Sequence, residues 1–304
     1  MNMVTVFQYD AFSIVPDKGN PAGVVLDADH LTEEDMLKIA KQVGFNETTF
    51  VMRSDQADVR LRYFTPGHEM NLCGHATMAS MYALKTRGLL SSKVTYSIET
   101  KAGVLPVTFG DTDMQPSITM KQDSPLFVEF EGDVDMLASA IGLHRDELDL
   151  TKPIVYGSTG IWTLLIPVKK LDSFSRMIPD NRKFPEILTQ NPKASLHPFC
   201  METIDPSALM HARHFSSPYS GTIEDPVTGT ASGVMGAYYL TYVQPEWPTI
   251  QMMVEQGQEI GKDGRVQVTV NRGFGEMEVY ITGTAVFVRE FDVDPGRIRI
   301  CHMI

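Results

Sequence analysis

The sequence predicts an α+β fold of two pseudo-symmetric domains, each a curved, barrel-like, mostly antiparallel sheet around one central buried helix. Three observations predict it. Glycine (23) and proline (18) punctuate the 304-residue chain, and most intervening segments are short, alternating and β-branched or aromatic, which is the pattern of strands. Two stretches, His75 to Thr86 (HATMASMYALKT) and Thr230 to Tyr242 (TASGVMGAYYLTY), have helical length but almost no charge, so neither offers a face to water and each must be enclosed. Each follows a glycine-bearing turn, Cys73-Gly74-His75 and Thr228-Gly229-Thr230, and these lie about 155 residues apart, half the chain, as an internal repeat of one domain plan.

In chain order, the first helix is expected over Leu31 to Val43, where Thr32 with Asp35 resembles a capping box and Met36, Ile39, Ala40 and Val43 form one apolar stripe ended by Gly44. Strands are expected at Val59 to Phe64, Val94 to Ile98, Val104 to Phe109, Ile154 to Tyr156, Trp162 to Ile166, Gln251 to Glu255, Val266 to Val270, Met277 to Ile281 and Ala285 to Arg289. In the two enclosed helices Ala76, Ala79 and Ala83, and Ala231, Gly233, Gly236 and Ala237, let surrounding backbone approach closely. The expected domains are residues 1–120, joined by a returning segment from approximately 290 to 304, and residues 121–289.

Composition narrows the partners. Lys and Arg total 26 against 38 Asp and Glu, and the net charge of -12 disfavours nucleic acid and anionic membranes. The longest apolar run, Ile161 to Val168, is interrupted by Thr163 and Pro167 and reaches about half of the roughly 18 residues a membrane span requires. Met1 to Phe12 lacks the pattern of a secretory signal, so a cytoplasmic location is expected, with a homodimer as the assembly. Cys73, Cys200 and Cys301 are far apart with no CxxC spacing, and no phosphate-cradling glycine loop is present. His211 and His214 would point to opposite faces of a strand, with no Cys or further His standing nearby, so a metal is not expected.

Both enclosed helices start at positions suited to an anion, because a helix N-terminus presents unpaired N–H groups and a positive dipole end. A small acidic metabolite is therefore the expected ligand, although each glycine turn also serves simply as a tight lead into a helix. His75 begins the first helix and Asp225 lies just before the second; a cap and a turn starter are the plain accounts of each, and their matching places in the repeat favour function. Glu47 stands where a helix stop passes into a strand, and flanking Phe45 and Phe50 are expected to desolvate it toward proton transfer near neutrality, against the plain account of a solvated loop glutamate. Cys73, before Gly74 at a helix start, is where a thiol becomes a nucleophile or base, or is a buried inert side chain.

At these residues the chain resembles the PhzF-type family, the phenazine-biosynthesis-like isomerases of the diaminopimelate-epimerase-like fold. The resemblance rests on Val4-Thr5-Val6-Phe7 with Asp10-Ala11-Phe12, Gly19-Asn20-Pro21-Ala22-Gly23-Val24-Val25, Asn46-Glu47-Thr48-Thr49-Phe50, Arg62 to Thr77 (RYFTPGHEMNLCGHAT), Glu224 to Ala231 (EDPVTGTA) and the late Glu255-Gln256-Gly257. It implies two pseudo-symmetric domains with the active site in the cleft between them. It further implies Glu47 as general base and acid, His75 and Asp225 as the rest of the proton-handling set, and the backbone around Cys73, Gly74, Gly229 and Thr230 as the holder of the substrate's anionic group. The chain departs from the two-thiol epimerases of that fold, since Cys73 occupies the first thiol position but Pro226 the second, and it carries Thr230 where serine is frequent.

The expected function is thus a cofactor-independent isomerase that moves a proton within a small carboxylate-bearing substrate. An epimerase or racemase that inverts one centre, with Cys73 or Glu47 opposed by Asp225, and a non-catalytic metabolite-binding protein are the alternatives.

Overall fold

The computed structural model describes residues 3–110, 115–273 and 275–296. Cys301 and the tail of the expected returning segment, residues 297–304, lie outside the described residues. The chain divides into two compact units, one running to Met120 and resuming at Gly283, the other spanning Lys121–Thr282.

The first unit contains β1 (Val4–Ala11), β2 (Asn20–Val25), α1 (Glu33–Val43), β3 (Glu47–Met52), β4 (Val59–Phe64), β5 (Glu69–Met70), α2 (Gly74–Thr86), β6 (Thr95–Thr100), β7 (Gly103–Gly110) and β8 (Ser117–Lys121). The second contains β9 (Leu126–Glu129), α3 (Val134–Ala140), β10 (Val155–Ser158), β11 (Trp162–Pro167), α4 (Phe184–Ile187), β12 (Ser195–Cys200), β13 (Met210–Ala212), α5 (Gly229–Tyr238), β14 (Thr249–Gln256), β15 (Gly264–Arg272) and β16 (Met277–Gly283), after which β17 (Ala285–Val293) belongs to the first unit.

The internal repeat is written in the strand directions. From β17 through β1, β2, β3, β4, β6 and β7 to β8, successive neighbours pair antiparallel, antiparallel, parallel, antiparallel, parallel, antiparallel and antiparallel. From β9 through β10, β11, β12, β13, β14 and β15 to β16 the order of directions is the same. Helix α2 lies in the chain between the parallel neighbours β4 and β6, and α5 between the parallel neighbours β13 and β14, so each helix holds the same place in its unit.

Both helices are enclosed as their lack of charge requires. Every residue from Ala76 to Leu84 in α2 and from Ala231 to Tyr238 in α5 is buried. Helix α2 packs on β1, β2, β3 and β17, and α5 on β10, β14 and β15. At Gly236 the approach is closest, because a Cβ there would lie 2.6 Å from Val268 Cγ1. Helix α5 continues directly into a π-helical turn, Tyr239–Val243, so the helical stretch anticipated to Tyr242 changes its winding near the end. Helix α1 covers the other face of the first unit's sheet: Thr32 and Asp35 form the reciprocal capping box, Gly44 closes the helix at φ 73°, and Met36, Ile39 and Ala40 join Val4, Val6, Phe50 and Phe64 in one apolar cluster.

Candidate active site

Strand alternation decides which way Glu47 points. On β3, Glu47, Thr49 and Val51 share one face and Thr48, Phe50 and Met52 the other. Phe50 faces α1, edge-to-face with Phe64 at 5.4 Å, while the Thr49 hydroxyl donates to Ala76 O of α2 at 3.4 Å. Glu47 therefore turns toward the start of α2. The expected bracketing of its carboxyl by Phe45 and Phe50 is corrected: adjacency in sequence puts Phe50 on the opposite face, and the Phe45 ring meets Phe291 at 6.5 Å. The enclosure of Glu47 comes instead from the α2 start.

There the His75 ring stands between two partners. Its Nε2 is 3.3 Å from Glu47 Oε2, and its Nδ1 is 3.4 Å from Cys73 Sγ. The side chains of His75 and Glu47 are 10% and 15% exposed, so both are largely enclosed. Burial pulls the His75 imidazole down to about 4, which makes it neutral at neutral pH, with one ring nitrogen donating and the other accepting. Such a ring can pass a proton between thiol and carboxylate without carrying net charge.

Glu47, Cys73 and His75 offer ligand atoms all within 4.8 Å of one another, and carboxylate, thiol and imidazole are metal-binding groups. The ring turns Nε2 to the carboxylate and Nδ1 to the thiol, so the three groups form one compact cluster around the imidazole.

The first turn of α2 is held from beneath. Thr77 Oγ1 donates to Cys73 O at 2.7 Å and meets the fully buried Tyr63 hydroxyl at 2.6 Å. Cys73 is the N-cap residue of α2 and Thr228 that of α5, and neither side chain caps its helix. The first-turn amides around Gly74 and Gly229 thus receive no cap from their own N-cap side chains.

In the second unit Asp225 is tied through its surroundings. Its amide donates to His214 O (2.9 Å), and its Oδ2 accepts the Thr228 hydroxyl (2.6 Å). The preceding Glu224 takes a two-pronged ion pair from Arg213, at 2.9 and 2.6 Å, and Arg213 also donates to Phe174 O and Met177 O. Glu224 is therefore held in a structural ion pair. Gly229 and Thr230 are the first two residues of α5, and Thr230 O accepts from Thr159 Oγ1 at 3.0 Å.

His211 and His214 serve separate partners. His211 lies between Glu255 and Glu259, 2.8 Å from each, whereas His214 meets His197 at 3.0 Å. The expectation that no further histidine stands near this pair is corrected, since β12 delivers His197 across the sheet. The strand of the second unit equivalent to β3 is β12, and it opens on Ser195, whose hydroxyl donates to Thr163 Oγ1 at 2.9 Å. A carboxylate at the strand start is thus a feature of the first unit alone among these two strands.

Two residues that matter to the site were not singled out by composition or spacing: Arg213 and Gln256. Arg213 was findable as the cation nearest to an acidic Glu224 in a β-rich stretch.

A duplicated strand plan around two enclosed helices, with proton-active side chains at a helix start, defines the fold class of PhzF proteins. The solved phenazine biosynthesis protein of the PhzF family from Bacillus anthracis superposes with a TM-score of 0.95 at 55% identity, covering 97% of this chain and 100% of its own. Residues 9–291 match the family model of the phenazine biosynthesis-like proteins, PhzC-PhzF, and the chain belongs to that family. Among its relatives are the uncharacterized isomerase YfhB of Bacillus subtilis, 55% identical over 94% of this chain and 97% of that protein, and the trans-2,3-dihydro-3-hydroxyanthranilate isomerase of Pseudomonas aeruginosa, 30% identical over 88% and 90%. The protein is an enzyme of the isomerase type acting on a small molecule. No helix among the described residues is long and apolar enough to cross a membrane.

Proposed function

We propose that this isomerase moves a proton within a small, conjugated, carboxylate-bearing substrate without a cofactor. Glu47 takes a proton from a substrate carbon. The electron pair left behind delocalises through the conjugated system onto the substrate carboxylate, and the Glu47 carboxyl, whose proton exchanges with solvent, delivers a proton at another carbon, so charge and redox state are unchanged. The observation that carries this reading is the enclosed contact of Glu47 Oε2 with His75 Nε2 at 3.3 Å, at the start of a helix whose N-cap residue, Cys73, makes no side-chain cap bond.

A carbon acid of this kind needs a place for the developing negative charge. The amides around Cys73 and Gly74, and around Gly229 and Thr230, are assigned to the substrate's anionic group, where helix-end dipoles favour negative charge. His75, neutral by burial, is assigned to polarise the reacting system and to take part in proton transfer with Asp225. The relative from Pseudomonas aeruginosa, named for a hydroxylated, dihydro-aromatic amino acid, supports a ring carboxylate as the substrate class.

A second reading, inversion at one stereocentre, is favoured by one observation, the Cys73 thiol on the Nδ1 side of His75. Incubation with trans-2,3-dihydro-3-hydroxyanthranilate and a panel of small unsaturated acids in D₂O separates the two. Deuterium at a new carbon supports the proton shift. Deuterium at the original carbon with inversion supports the epimerase, and binding with no exchange in any panel member contradicts both.

A further inference from the structure

The Glu255-Gln256-Gly257 motif has no part in the chemistry above, yet all three residues act on one neighbour, the Asp225 to Thr228 turn, or on the strand end that holds it. Gln256 is 1% exposed and its amide is spent on that turn. Nε2 donates to Asp225 O at 2.8 Å and to Thr228 Oγ1 at 3.2 Å, while Oε1 accepts Thr228 N at 3.2 Å. Gly257, at φ 100°, brings the chain so close that a Cβ would lie 2.6 Å from Pro226 O. Glu255, fully buried, locks the end of β14 by accepting Ile204 N at 2.6 Å, Asp205 N at 2.9 Å and His211 Nδ1 at 2.8 Å.

The direction of one proton follows. A threonine hydroxyl has a single hydrogen to donate. Because Gln256 Nε2–H occupies the acceptor side of Thr228 Oγ1, that hydrogen is left to point along the 2.6 Å contact to Asp225 Oδ2. The chain Gln256 N–H to Thr228 O–H to Asp225 carboxylate is polarised in one sense, and hydrogen bonds in series strengthen one another.

We propose that Gln256 is a positioning residue, which acts through Thr228 to aim a hydroxyl proton at Asp225 and to set the start of α5. The part of this that concerns catalysis rests on the proton-handling role assigned to Asp225; the hydrogen-bond chain does not.

The test reads the Asp225 carboxyl directly and needs no substrate. In protein labelled with ¹³C at aspartate carboxyls, the Asp225 signal is assigned by its loss in Asp225→Asn and titrated in Gln256→Met, Thr228→Val and the double variant. Donation to a carboxylate favours its charged form, so each single change should move the midpoint upward, and the double change should move it no further than the larger single. The charged neighbours Glu224 with Arg213, and Glu255 with His211, stay constant across the series. Gln256→Glu supplies a second arm: its carboxylate cannot donate to Thr228, but its protonated form can, so the Asp225 environment should return toward wild type as pH falls.

An unmoved midpoint in Gln256→Met, or shifts that add in the double variant, would overturn the inference. Thermal melts identify any variant that fails to fold, and Gln256→Glu, of nearly the same size and shape, then decides alone. If the midpoints behave as expected while Asp225→Asn keeps full turnover, the positioning inference stands and the role of Asp225 in the reaction falls.

Discussion

His75 Nε2 lies 3.3 Å from Glu47 Oε2, with both side chains largely enclosed, so the first unit buries an imidazole against a carboxylate at the start of its central helix. Burial holds that imidazole near 4, against an ordinary value of 6.5. Between these pH values the unfolded chain binds a proton that the folded chain refuses, so stability falls as pH drops through the window and rises with pH across it. The full effect is about 3 kcal/mol at roughly 1.4 kcal/mol per unit. Urea unfolding at pH 7.5 and 4.5 should show a smaller loss on acidification in His75→Gln than in the wild type. An equal loss in both proteins would mean that His75 is not held neutral.

Glycine at 236 is required by space and at 233 only weakly so. A Cβ at 236 would lie 2.6 Å from Val268 Cγ1 and 3.0 Å from Val270 Cγ2, and β-branched side chains in a sheet have little rotamer freedom to yield. At 233 the nearest atoms, on Ile281 and Val279, are 3.3 Å away. Alanine gains about 1 kcal/mol of helix propensity at either site. Gly233→Ala should therefore be close to neutral, whereas Gly236→Ala should lose about 1–3 kcal/mol by overpacking. Equal melting temperatures for the two variants would count against the packing of α5 on β15.

Much of this was legible in the sequence where the cause is local. The Thr32 and Asp35 box, the Gly44 stop and the enclosure of α2 and α5 each depend on residues within one element, and so does the period of Val59–Phe64. What was not legible depends on contacts across the chain. Strand β12 contains Pro198, which argues against a paired strand, yet it pairs in parallel with β11, where Ile166 faces Pro198. Phe50 looked like a neighbour of the Glu47 carboxyl and lies on the other face of the same strand. Gln256 is 31 residues from Asp225, and nothing in its own surroundings announces the bond between them.

Cys73 sits on the second nitrogen of the His75 ring at 3.4 Å and should be dispensable for the proton shift. Serine at that position keeps a donor and an acceptor for Nδ1, and the lead into α5, Glu224 to Ala231 (EDPVTGTA), carries no cysteine to pair with Cys73 in a two-thiol inversion. Cys73→Ser should keep turnover within about tenfold of the wild type, well short of the roughly 10²–10⁴-fold that general acid–base catalysis supplies. A loss in that larger range, in a folded protein, would favour the epimerase reading.

The central claim is that Glu47 carries the proton, and Glu47→Gln tests it most directly. The amide keeps the size of the side chain and can still meet His75, but it cannot accept a proton from carbon. The measurement is the rate of deuterium transfer from D₂O into the substrate identified in the exchange panel, alongside that substrate's dissociation constant. The account predicts exchange slowed by about 10²–10⁴-fold with binding little changed, because the lost interaction belongs to the transition state. Exchange at the wild-type rate in Glu47→Gln would contradict it, and so would a loss traced wholly to failed binding in a folded protein.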